Sequence, residues 1–154
     1  MTFSDKPKFF KRGESSDFRG SLEYYNGLSI SSFKRFYTVH NPTKGTVRAW
    51  HGHKIEAKLI KALEGEFIVS LVKIDDWSKP SKDMDILEYK IDNNSDIIYV
   101  PPGFANGAMN TISNSKIMYF STLELEDSAK DDYRYESKYW DPWSKFSPEI
   151  YEWY

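Results

Sequence analysis

The octapeptide VRAWHGHK, residues 47–54, holds two histidines one residue apart, with an arginine and a lysine close by. An imidazole titrates near neutral pH, so it can accept and return a proton, and its neutral form is a common metal ligand. Three chemistries are therefore open to His51 and His53: a pair of metal ligands, a base acting on carbon, or a hydrated pair on an edge strand. A carbon-bound proton beside a ketone is acidic enough for imidazole to remove, provided that the forming enolate oxygen meets a donor or a cation. Lys58 follows five residues after His53, and Asn106 and Asn110 stand in the run PPGFANGAMN. With no cysteine in the chain, thiolate nucleophiles, thiolate metal sites and disulfides are excluded.

The segments that must position these groups read as strands. FKRFYTVH (33–40), GTVRAWHGH (45–53), AKLIKALEG (57–65), EFIVSLVKI (66–74), DILEYKI (85–91), DIIYVPPG (96–103) and KIMYFSTLEL (116–125) are rich in β-branched and aromatic residues. Between them lie turn-forming clusters such as Asn41-Pro42-Thr43-Lys44-Gly45, Glu64-Gly65-Glu66 and Asp92-Asn93-Asn94-Ser95. Leu59, Ile60 and Leu63 also fit a helical face, but the strand-like neighbours favour a strand there. The expectation is an all-β sandwich or barrel with few short helices.

At 154 residues the chain fits a single domain, 1–154, with an aromatic-rich tail over about 140–154 that should pack on the barrel or on a partner chain. A net charge of −2, from 21 basic and 23 acidic residues, gives no field that would draw nucleic acid or a membrane surface. The N-terminus lacks the apolar core of a signal peptide, and no apolar run is long enough to span a bilayer, so a soluble, cytoplasmic protein is expected. Aromatic residues make up 17% of the chain, enough for some to serve as subunit contacts, and a homodimer is expected.

The turns carry a more specific pattern. From Gly45 the chain reads G-x5-H-x-H-x4-K-x6-G, and from Pro101 it reads P-x-G-x2-N-x3-N. These resemble the two motifs of the cupin superfamily, small jelly-roll β-barrels whose ligand positions are two histidines, a glutamate and a further histidine. His51, His53, Lys58 and Asn106 stand at those positions. A lysine in place of the carboxylate would set a cation beside a cation, so neither metal nor cofactor is expected. The metal-free branch typified by dTDP-4-dehydrorhamnose 3,5-epimerase, with the related dTDP-sugar 3,4-ketoisomerases, is similar from about Asp17 to Trp143. Asp17-Phe18-Arg19-Gly20 resembles its D-x-R-G opening, and VRAWHGHK resembles both the epimerase R-G-L-H-x-Q and the ketoisomerase R-G-x-H-A-H-K. YVPPGFANG resembles Y-V-P-P-G-F-A-H-G, and IMYFST resembles the strand bearing the epimerases' catalytic tyrosine.

The resemblance implies roles. His51 would be the base, Lys58 would stabilise the enolate at the sugar C4 oxygen, and Tyr119 would donate a proton from the opposite face. His53 would be a second proton-handling group, as in the ketoisomerases. Arg19 and Arg48 match arginines that hold the diphosphate, where a guanidinium can fork onto two oxygens, and Asn106 would contact substrate. The chain also departs from the epimerases: Asn106 replaces a histidine, Leu125 replaces a second tyrosine, and the acidic partner of the base has no match. Either another carboxylate, such as Glu149 or Glu152, orients His51, or none does.

The expected function is inversion at C3 of a nucleotide-linked dTDP-4-keto-6-deoxyhexose, with C5 as a second position, on the way to a surface-polysaccharide sugar. The alternatives are a 3,4-ketoisomerase on the same substrate class and a non-catalytic sugar-binding cupin.

Overall fold

The structure, a computed structural model, describes residues 4–151. Two antiparallel sheets face each other in a jelly-roll arrangement. The first runs in the order β1 (Lys8–Phe10), β9 (Ile97–Val100), β6 (Lys58–Glu64), β11 (Ser115–Ser121), β4 (Arg35–Asn41). The second runs β12 (Tyr133–Arg134), β5 (Thr46–His53), β10 (Phe104–Asn110), β7 (Glu66–Lys73), β8 (Ile86–Asp92), and β13 (Ile150–Tyr151) pairs with β5 in parallel. β2 (Arg12–Asp17) and β3 (Gly20–Tyr25) form a separate hairpin. A single short α-helix among the described residues, α1 (Leu125–Lys130), links β11 to β12.

Strand alternation sorts the side chains into three layers. Ile60 and Ala62 of β6, Ile98 and Val100 of β9, and Ile117 and Tyr119 of β11 meet Phe67, Val69 and Leu71 of β7 and Phe104 and Ala108 of β10 between the sheets. On the outside of the first sheet Ala57, Leu59, Ile97 and Tyr99 are covered by Phe10, Tyr25, Leu28 and Phe33. The outside of the second sheet buries Val47, Ala49, Trp50 and Met109 against Trp140 and Trp143. The aromatic tail therefore packs on its own barrel. The indole N–H groups of Trp50 and Trp143 both donate to the Ser137 carbonyl, at 3.2 and 3.1 Å, which satisfies the polar edge of two fully buried rings.

Residues 58–64 are a strand, as their neighbours suggest. It turns into β7 at Gly65, whose φ of +74° favours glycine. Two boundaries differ from the sequence reading. β9 stops at Val100 because Pro101 and Pro102 have no N–H to give the ladder. The segment read as strand to residue 125 leaves the sheet after Ser121 and enters α1 at Leu125. β10 is an unanticipated strand: FANGAMN has poor strand propensity, yet all seven residues are buried, all seven pair with β7 and five pair with β5. Small residues are needed there. A Cβ on Gly107 would lie 2.5 Å from the Ala49 Cβ and 2.9 Å from Trp143, so this central strand is selected by close packing rather than by propensity.

Candidate active site

A bulge in β5 assembles the site. Asn106 pairs with His51 but Ala108 pairs with Arg48, so three steps along β5 face two along β10. On a regular strand residues 48 and 51 would point to opposite faces; the extra residue reverses the parity between them. Val47, Ala49 and Trp50 go outward into the layer under the tail, and Arg48, His51 and His53 line the interior. From the facing sheet, Lys58 shares the inward side of β6 with Ile60 and Ala62, Tyr119 that of β11 with Ile117, and Tyr37 that of β4.

These groups enclose a cavity of about 140 Å³ lined by Tyr37, Val39, Arg48, His51, Lys58, Asn106 and Tyr119. A second, of about 360 Å³, shares Tyr37, His51 and Lys58 with it and adds Arg35, His53, Asp132 and Arg134. Together they form one cleft. Tyr119 stacks on Tyr37 with ring centroids 5.2 Å apart. The buried Lys58 ammonium donates to the Tyr37 hydroxyl at 3.0 Å and sits 5.5 Å from the Tyr119 ring centroid. Asn106 Nδ2 donates to the His51 carbonyl at 3.1 Å, tying β10 to the bulge. Arg48 Nε donates to Asn41 Oδ1 at 2.9 Å, which directs the guanidinium at the cleft wall. Four cationic side chains, Arg35, Arg48, Lys58 and Arg134, line the cleft against one carboxylate, Asp132. That balance suits an anionic ligand.

Behind His53 lies a buried carboxylate. Glu56 Oε2 is 2.9 Å from His53 Nδ1 and accepts from the Ser128 hydroxyl at 3.0 Å. Its Oε1 accepts from the Ser121 hydroxyl and is 3.6 Å from the Arg35 guanidinium. Burial alone would raise its pKa, but the His53 hydrogen bond and the Lys58 charge, with His53's charge and Ser121 added, hold it down to about 2 from an ordinary 4.5. A depressed folded pKa contributes stability that is complete above the unfolded value and lost as pH falls through the folded one. The contribution is about 3 kcal/mol, lost between about pH 5 and pH 2. Urea unfolding across that range should therefore show wild type losing about 3 kcal/mol more than Glu56→Gln; parallel pH profiles would contradict the buried pair.

Residues 11–143 match the family described as dTDP-4-dehydrorhamnose 3,5-epimerase. The chain belongs to this family. It is an isomerase family, and the match covers most of the chain. No curated protein matches by sequence. Among solved structures, dTDP-4-dehydrorhamnose 3,5-epimerase from Bacillus anthracis, with TDP and pyrophosphate bound, is similar at a TM-score of 0.77 and 22% identity, over 98% of this chain and 93% of that one. A sugar 3,4-ketoisomerase from Thermoanaerobacterium thermosaccharolyticum, in complex with TDP, is similar at 0.66 and 18% identity, over 93% and 98%. A mutant of that ketoisomerase holding TDP-4-keto-6-deoxyglucose is similar at 0.66 and 17% identity, over 93% and 97%. At these identities the structures share the jelly-roll fold.

Of the site residues that the sequence of this epimerase-family chain suggests, His51, Lys58, Tyr119, Arg48 and Asn106 line one cavity and His53 joins through the other. Arg19 does not. It lies at the β2–β3 turn, paired with Asp17, and lines a separate depression with Ser15, Gly20, Ser21 and Leu22. Leu125 opens α1 and borders the larger cavity. Glu149 sits beside Gly45, its N–H donating to that carbonyl at 3.0 Å, at the end of β5 away from His51. Glu152 is outside the described residues. The carboxylate that partners a site histidine is Glu56, against His53, which sequence reading missed; the i, i+3 spacing in His53-x-x-Glu56 was its only signal. Arg35 and Arg134 were also missed, having no motif around them. Among the described residues, no group of three or more His, Asp or Glu could hold a metal, and no helix is long and apolar enough to cross a membrane.

Proposed function

We propose that the protein inverts C3 of a nucleotide-linked 4-keto-6-deoxyhexose by proton abstraction through an enolate. The observation that carries this reading is the placement of His51 and Tyr119 on facing walls of one cavity. An imidazole on one face can take the C3 proton while a phenol on the other returns one, and that exchange of faces is inversion. Lys58, beside Tyr119, would meet the charge that develops on the C4 oxygen. Arg48, with Arg35 and Arg134, would hold the diphosphate. Asn106 would contact the substrate. The relatives that hold TDP or TDP-4-keto-6-deoxyglucose support a dTDP-linked substrate.

A second reading, a 3,4-ketoisomerase, draws on one observation: His53 lies on the same face of β5 as His51, and its buried Nε2 has no hydrogen-bond partner among the described residues. Two imidazoles on one wall would suit a proton moved between adjacent carbons. A homodimer belongs to either reading. β4 is an open sheet edge with Phe36 exposed, and the projecting hairpin exposes Phe18 and Leu22. In such a dimer Arg19 would serve the partner's cleft, since it does not line its own. The product would feed a surface polysaccharide, with the reaction in the cytoplasm.

Proton NMR with dTDP-4-keto-6-deoxyglucose in deuterated buffer tests the reading. Exchange and inversion at C3 support it; exchange at both C3 and C5 extends it to a double epimerase. Movement of the ketone to C3 replaces it with the second reading, and an unchanged, bound sugar points to a non-catalytic cupin. Turnover should survive dialysis against chelator, because Lys58 and Asn106 occupy two of the four cupin ligand positions. Activity lost with a stoichiometric metal and restored by it would overturn the metal-free chemistry.

A further inference from the structure

His53 is 5% exposed, and its two ring nitrogens are treated very differently. Nδ1 lies 2.7 Å from the Asp131 carbonyl oxygen and 2.9 Å from Glu56 Oε2, whereas Nε2 is buried without a partner among the described residues. Both neighbours of Nδ1 are acceptors. A carbonyl carries no proton, and the Glu56 carboxylate is itself the end of a donor chain: Arg35 Nη2 donates to Ser128 Oγ at 3.0 Å, which leaves the Ser128 proton to go to Glu56 Oε2, also at 3.0 Å. The hydrogen shared at Nδ1 must therefore belong to His53. In the neutral ring that leaves the lone pair on Nε2.

We propose that Glu56 is a positioning residue, which with the Asp131 carbonyl fixes His53 in the Nδ1–H tautomer so that Nε2 is the proton acceptor on the β5 wall of the cleft. This rests on the 3,4-ketoisomerase reading of the site, in which His51 and His53 both handle protons on one wall. In the step assigned to it, Nε2 takes one proton from the substrate, the bonding electrons stay on the substrate as the enolate, and the imidazolium so formed faces the Glu56 carboxylate. The proton returns to the substrate later in the same cycle. The other charged or titratable groups facing this part of the cleft are Arg35, Tyr37, Lys58, His51, Asp132 and Arg134. The Asp131 carboxylate is turned away, accepting the backbone N–H groups of Lys54, Ile55 and Glu56 at 2.9, 2.9 and 2.8 Å.

With three histidines in the chain, long-range proton–nitrogen correlation on uniformly labelled protein can read each tautomer directly. Wild type should show His53 protonated at Nδ1 and bare at Nε2. In Glu56→Gln the amide can turn its NH₂ toward Nδ1, so the tautomer should shift, kcat should fall on the order of 10²-fold with KM little changed, and the acidic limb of the pH–rate profile should move. Glu56→Asp, which keeps the charge, should retain the wild-type tautomer and recover part of the rate. An Nε2–H tautomer in wild type overturns the proposal even if Glu56→Gln does not fold. So does Glu56→Gln with an unchanged tautomer and pH profile. A locked tautomer in wild type that is lost in Glu56→Gln, in a protein that turns over no keto sugar, upholds the positioning role and removes the isomerase reading instead.

Discussion

His51→Asn is expected to abolish deuterium incorporation at C3 of dTDP-4-keto-6-deoxyglucose while leaving dTDP binding close to wild type. The asparagine keeps a polar side chain of similar reach on the inward face of β5 but cannot accept a proton at neutral pH. A general base contributes about 10² to 10⁴ in rate, so the loss should fall in that range. Binding should survive because the groups suited to the diphosphate lie elsewhere on the wall: Arg48 three residues away across the bulge, and Arg35 and Arg134 in the larger cavity. The Asn106 bond to the residue-51 carbonyl uses the main chain and is indifferent to the substitution. Exchange and calorimetric dTDP binding measured on one preparation give the separation. Exchange at the wild-type rate would remove His51 from the chemistry. Loss of binding together with exchange would mean that the residue supports the cleft and not the reaction.

The spacing of chemical groups along the chain was readable, but the way they come to share a cleft was not. Lys58 and Tyr119 lie on strands whose alternation with Ile60, Ala62 and Ile117 shows which side faces in, and the structure keeps that alternation. Arg48 and His51 are different. Three residues apart, they belong on opposite faces of any regular strand, and only the bulge opposite β10 turns both inward. Such a bulge depends on what the neighbouring strand can accept, and β10 is the strand that propensity failed to predict. Its Gly107 fits because Ala49 and Trp143 leave no room for even a Cβ there. The unread bulge and the missed strand share one cause, since close packing between β5, β10 and the tail involves residues far apart in sequence.

Glu56 shows the same limit from the electrostatic side. In sequence it is one acidic residue among 23, in a short loop where a solvated position would be ordinary. The fold closes α1 and β11 over it, so that Ser128 and Ser121 donate to its oxygens and Arg35 stands close by. The family resemblance points instead to a carboxylate in the C-terminal segment, at Glu149 or Glu152. In this chain that segment covers Trp50 on the outside of the barrel, and the buried acid stands against the second histidine from the loop that follows β5.

Tyr119→Phe separates the two isomerase readings. The substitution removes one hydroxyl from a ring that stacks on Tyr37 at 5.2 Å and lies on the sheet facing His51. Stacking and burial are retained, so the cleft should keep its shape. If Tyr119 returns the proton to the face opposite His51, the variant should still form the enolate and exchange the C3 proton with solvent. Inverted product should then fall by about 10² to 10⁴ relative to exchange, because protonation from the far face has lost its donor. If His51 and His53 instead carry the proton along one wall, no far-face donor is needed, and the variant should move the ketone at a rate within about tenfold of wild type, the scale of a modest change in packing or hydrogen bonding. Tyr37→Phe is the control. It removes the acceptor that Lys58 meets at 3.0 Å without touching the proposed donor, so it should slow enolate formation and inversion together. Inversion and exchange slowed by the same factor in Tyr119→Phe would place the tyrosine with the enolate-stabilising groups rather than as the proton donor.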